Sequence, residues 1–95
     1  MSIDEHLDKF QRQKQKRIAF MLYELVRRGG KADKNEFMGS IAVNYGIRRK
    51  TQEEYLIDLK YAGAIDITEN NNVILKWDMD KAKDWLKKQK FRIEE

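Results

Sequence analysis

Arg48, Arg49 and Lys50 stand side by side in the chain, and the chemistry open to three adjacent cations is the capture of an anion. An arginine fork can pair bidentately with guanine, while lysine offers phosphate a point charge. Two other stretches share this character. Lys9 to Arg17 carries five basic residues and no acid, and Lys81 to Arg92 carries six against one acid, Asp84. The net charge is only +4, from 20 lysines and arginines against 16 acids, so the signal lies in clustering. Clustered cations fit a polyanion such as DNA; they fit lysine-rich, solvated helix faces equally well.

Other chemistries find little support. His6 is the single histidine and there is no cysteine, so no thiolate zinc site, disulfide or redox centre is expected. Gly29-Gly30 has the position of a helix terminator and not of a phosphate-cradling loop. No carboxylate pair is set up for acid–base work. The expectation is a protein that is not an enzyme, with no metal, no cofactor and no evident small-molecule substrate. No apolar run approaches the roughly 20 residues a membrane span needs. Met1-Ser2-Ile3-Asp4-Glu5 is acidic and lacks the basic-then-apolar pattern of a secretory signal, so a cytoplasmic location is expected.

The elements that must position these residues follow from periodicity. Ile18, Met21, Leu22, Leu25 and Val26 form an apolar stripe at helical spacing, continued upstream by Ile3, Leu7 and Phe10, which predicts one helix over 3–28. Asp33 with Glu36 three residues on reads as a capping box opening a short helix over about 34–44. Asn44-Tyr45-Gly46 forms a turn with Ile47 as its core anchor. A third helix over 49–61 turns Leu56 and Leu59 inward, flanked by Gln52, Tyr55 and Ala62. Residues 64–68 and 73–77 read as two strands joined by Glu69-Asn70-Asn71-Asn72. A last helix over about 79–92 starts behind Asp78. Phe20 and Tyr23 lie off the main stripe and are expected to pack under the hairpin or the last helix.

Within Gly46–Ile65, the residues Gly46, Ile47, Arg49, Lys50, Thr51, Tyr55, Leu56, Leu59, Gly63 and Ile65 carry a pattern that resembles the core of winged helix-turn-helix DNA-binding proteins. It is most similar to small archaeal and archaeal-virus regulators. Arg48 departs from it, since the family usually has Ser or Thr there as the helix cap. The resemblance covers residues 18–77. It implies a mainly α fold with a small β-hairpin, with residues 49–61 as the recognition helix. Residues 1–17 are then an N-terminal helical extension, and 78–95 a C-terminal helix and candidate dimerisation element.

On this reading the chain binds double-stranded DNA sequence-specifically, as a transcriptional regulator acting by occupancy of the major groove. Arg48, Arg49, Lys50, Gln52, Glu53, Ile57, Lys60 and Tyr61 are the expected contacts from the third helix. Lys34 and Asn35 at the start of the second helix, and Asn70 and Asn71 at the wing tip, join them. Lys14, Lys16, Arg17 and Lys31 are candidate phosphate contacts. The alternative is a protein-interaction module, such as an accessory subunit of a replication or transcription complex, with Glu53, Glu54, Ile57 and Tyr61 on its surface. A helix over 3–28 is about 39 Å long, against about 32 Å for the diameter of a compact chain of this size. It should therefore project, and Ile3, Leu7 and Phe10 with Met79, Ala82, Trp85, Leu86 and Ile93 are expected to form a homodimer interface, the alternative being that the two stripes cover each other within one chain.

Overall fold

The computed structural model describes the backbone of residues 3–91 and the side chains from Arg12 to Phe91. In chain order it contains α1 (Ile3–Arg27), β1 (Lys31–Asp33), α2 (Lys34–Tyr45), α3 (Arg49–Tyr61), β2 (Ile65–Ile67), β3 (Asn72–Leu75) and α4 (Met79–Lys88). The chain is thus mainly helical with a small antiparallel sheet. None of the described helices is long and apolar enough to cross a membrane.

The sheet is larger than the expected hairpin. It has three strands in the order β1-β3-β2, so the last strand in sequence lies in the middle. β2 pairs with β3 through Ile65↔Leu75, Asp66↔Ile74 and Ile67↔Val73, and β1 pairs on the other side through Lys31↔Ile74, Ala32↔Val73 and Asp33↔Asn72. Gly30 makes the entry to β1 possible. Its φ is +90°, its carbonyl accepts from the Leu75 amide at 2.7 Å, and a Cβ there would lie 3.3 Å from that of Leu75. The β2–β3 turn closes around Asn71, whose φ of 61° suits asparagine; its amide donates to the Thr68 carbonyl and the Asn72 amide to Thr68 Oγ1.

α1 carries two apolar faces, and each serves a different partner. Met21 and Leu25 join Phe37, Met38 and Ile41 of α2, Tyr55, Leu56 and Leu59 of α3, and Ile47, Ile65 and Val73 in the main core. Ala19, Leu22 and Val26 instead pack on Ala82 and Leu86 of α4. α2 begins at the expected N-cap, with the Glu36 amide donating to Asp33 Oδ2 at 3.0 Å, but the Glu36 carboxylate pairs with Arg28, so only half of the expected capping box forms; the helix ends at Gly46 in the left-handed region.

α4 is shorter than the expected 79–92. Lys90 takes a φ of 68°, and the Phe91 amide donates back to the Leu86 carbonyl at 3.0 Å. That reversal folds Phe91 onto α1, its ring centroid 5.2 Å from Phe20 and 5.5 Å from Tyr23. Phe20 also stacks on Tyr45 at 4.8 Å. Burying a phenyl ring outweighs one more turn of exposed helix.

This packing corrects the expected dimer surface. Ala82 and Leu86 are fully buried against α1 of the same chain, and Met79 and Trp85 are half-buried around that contact, so the apolar stripe of α4 is covered from within. The side chains of Ile3, Leu7, Phe10 and Ile93 lie outside the described residues.

Candidate functional site

The outward face of α3 is held in place by its inward one. Leu56 and Leu59 anchor it to the core, and Gln52 locks it to α2. The Gln52 Nε2 donates to the Met38 carbonyl at 3.0 Å and to the Ile47 carbonyl at 2.9 Å. Gln52 is therefore not a surface contact: it is 0% exposed, because it lies four residues before Leu56 and three before Tyr55 on the same helical face. Its Oε1 has no hydrogen-bond partner.

The remaining residues expected at this face are where periodicity puts them. Arg48, Arg49, Lys50, Lys60 and Tyr61 are exposed, Ile57 is 52% exposed and Glu53 is half-buried. Among the described residues, no ion pair holds Arg48, Arg49, Lys50 or Lys60. Arg48 is the N-cap residue of α3, and no side chain caps that helix end. The first amides of α3 thus lack a side-chain acceptor, while the helix dipole adds partial positive charge there.

A polar cleft of about 310 Å3 opens at this point, lined by Arg17 of α1, Gly46 and Ile47 of the turn, and Arg48 and Thr51 of α3. The structure therefore brings Arg17 to the same cleft as Arg48, 31 positions on in sequence. Thr51, Gly46 and Ile47 were not expected there. The missing cap at Arg48 was the signal that could have pointed to them.

Two expected phosphate or base contacts are engaged differently. Lys14 Nζ sits 2.9 Å from Asp58 Oδ2, and Lys34 Nζ sits 3.2 Å from Glu53 Oε1. The hydrogen bond to Asp58, reinforced by its charge, raises the Lys14 ammonium above its ordinary pKa. These pairs tie α3 to α1 and α2, and they neutralise two of the three carboxylates on α3. Lys16 lies 5.9 Å from the Phe20 ring centroid, away from the triplet's cleft. Lys31, Asn35, Asn70 and Asn71 are exposed.

The frame behind the face is ionic as well as apolar. Glu24, only 4% exposed, accepts from Arg28 Nε at 3.3 Å and from the Tyr45 hydroxyl at 3.2 Å, and Arg28 reaches on to Glu36 at 3.2 Å. Burial, then the charge of Glu24, pushes the Tyr45 phenol above its ordinary pKa. These contacts fix the end of α2 against α1 and so set where the turn delivers α3. Compared with family models, curated proteins and solved structures, the chain matches none.

Proposed function

We propose that this chain is a winged helix-turn-helix protein that binds double-stranded DNA, with α3 as the recognition helix and the β2–β3 hairpin as the wing. The observation that carries the reading is the basic N-terminus of α3: Arg48, Arg49 and Lys50 are exposed and, among the described residues, free of ion pairs, beside a cleft to which Arg17 contributes from α1. The order of helix, short strand, two helices and hairpin, with the last strand central in the sheet, supports it.

In this reading α3 enters the major groove by its N-terminal end, where Arg49 and Lys50 meet base edges. A backbone phosphate lies over the Arg17–Arg48 cleft and takes hydrogen bonds from the uncapped amides. Ile57 can touch a thymine methyl. The pairing of Glu53 and Asp58 with lysines lowers the repulsion that carboxylates on this helix exert on phosphate. Regulation of transcription then follows from occupancy of a site near a promoter.

A second reading rests on Ile57 and Tyr61, which are 52% and 86% exposed and one helical turn apart. An exposed apolar pair on one helix face suits a protein partner. Fluorescence anisotropy with a mixed-sequence duplex separates the two. DNA binding should be present at low salt and fall steeply as salt rises, with a log–log slope of about −0.9 per phosphate contact. Arg49→Ala with Lys50→Ala should weaken it by about 1–3 kcal/mol per lost base contact, with an unchanged circular dichroism spectrum. No duplex binding at low salt, or equal binding by the folded double variant, refutes the reading. Selection from a random duplex pool then tests for sequence preference.

A further inference from the structure

A second cleft lies between α1 and the turn that follows α4, and no residue of α2, α3 or the sheet lines it. Its volume is about 580 Å3, within the range of small-molecule sites. Phe20 and Phe91 supply an apolar floor, set edge to face with centroids 5.2 Å apart. Arg12, Lys16, Lys88 and Lys90 supply the rim. Among the described residues none of these four cations has a carboxylate partner. Cations gathered over an aromatic floor with no acid among the described lining residues ask for a ligand with a charged head and a hydrophobic body.

The turn itself places two of these residues. Lys90 is held at a φ of 68°, unusual for a residue with a side chain, and that conformation swings Phe91 under the cleft. Phe20 is stacked on Tyr45 at 4.8 Å, which occupies a ring face that a nucleic-acid base would need. The carbonyl end of α4 adds some partial negative charge nearby, which four cations on the rim outweigh.

We propose that this cleft binds a small amphipathic carboxylate, its carboxyl group among Arg12, Lys16, Lys88 and Lys90 and its apolar body against Phe20 and Phe91. The site adds a ligand to a protein whose sequence suggests none, and it does not depend on α3 contacting DNA. The probe is 1-anilinonaphthalene-8-sulfonate, an aromatic anion whose fluorescence rises in apolar surroundings, titrated into the full chain. Binding should saturate, and decanoate should displace the dye where decanol does not. Lys88→Glu with Lys90→Glu should weaken dye binding by at least about fivefold at low ionic strength, with melting unchanged. Should that reversal disturb melting, Lys88→Gln with Lys90→Gln should weaken it by at least about twofold. A smaller effect, displacement by decanol as effective as by decanoate, or displacement by a single-stranded oligonucleotide but not by decanoate overturns the proposal.

Discussion

Replacing Gln52 with alanine tests the link between the buried and exposed faces of α3. The side chain is 0% exposed and donates to two main-chain carbonyls, those of Met38 and Ile47. Each bond contributes about 1 kcal/mol net. Met38 lies inside α2, where the helix ladder also uses its carbonyl, but Ile47 lies in the turn between α2 and α3. Leaving the Ile47 carbonyl buried and unpaired costs about 1–3 kcal/mol more, and losing the unpartnered Oε1 offsets part of this. The expected loss is about 2–4 kcal/mol, or a fall in Tm of about 10–25 °C for a domain of this size. Thermal melting followed by far-UV circular dichroism reads it, with the exposed Glu54→Ala as the control. A fall of less than about 5 °C refutes the assigned role. Gln52→Glu sharpens the test, because it sets an acceptor against two carbonyl oxygens. Burial and those carbonyls raise the carboxyl's folded pKa above its unfolded value of about 4.3. The variant should therefore be most stable below about pH 4.3 and lose stability as pH rises through the folded pKa. A pH-independent difference from the parent contradicts that placement.

Asp58→Asn releases Lys14 and removes a carboxylate from α3, so duplex binding at low salt should tighten and its salt slope steepen by about one phosphate contact. Unchanged or weaker binding in the anisotropy titration counts against DNA contact by that face. Tyr45, raised above the ordinary tyrosine pKa of about 10, contributes stability that is present below that value and lost as pH climbs through the folded pKa. Melting curves of the parent and Tyr45→Phe should converge over that window, and parallel curves disprove the contribution. Asp33→Ala removes the cap of α2 and should cost about 1 kcal/mol in urea unfolding, whereas a shift below about 0.3 kcal/mol shows that the cap is dispensable.

The helices were legible because their signals are strong and local. The stripe from Ile18 to Val26, the Asp33 capping box and the Leu56–Leu59 pair each declare an element within one or two turns, and α1, α2 and α3 lie within a residue of the expected bounds. β1 was not legible. It is three residues long and offers a single buried side chain, Ala32, so nothing in its own composition separates it from a loop; only β3 makes it a strand. The end of α4 was misplaced because amphipathic spacing continues past Lys88, while the burial of Phe91 on α1 is a tertiary effect. At the candidate site, exposure of the basic triplet followed from the helical projection. The ion pairs of Lys14 and Lys34 did not, since each joins residues at least 19 positions apart, Lys34 and Glu53 being the nearer pair. Gln52 was the instructive case: it flanks the inward-facing leucines in the helical projection and was also expected among the DNA contacts. Two carbonyls waiting inside decided between them.

The central position of β3 has a consequence for how the protein comes into being. Both β1 and β2 pair only with β3, which spans Asn72–Leu75, and Val73 is part of the main core. During synthesis, therefore, the first 71 residues can form helices but hold two short strands with no partner between them. In the native sheet the two do not pair with each other, because β3 lies between them. The sheet, and the cooperative fold that depends on it, must then wait until β3 has emerged. A transcript cut short before Asn72 should yield a chain that proteases clear, and not a partly working one.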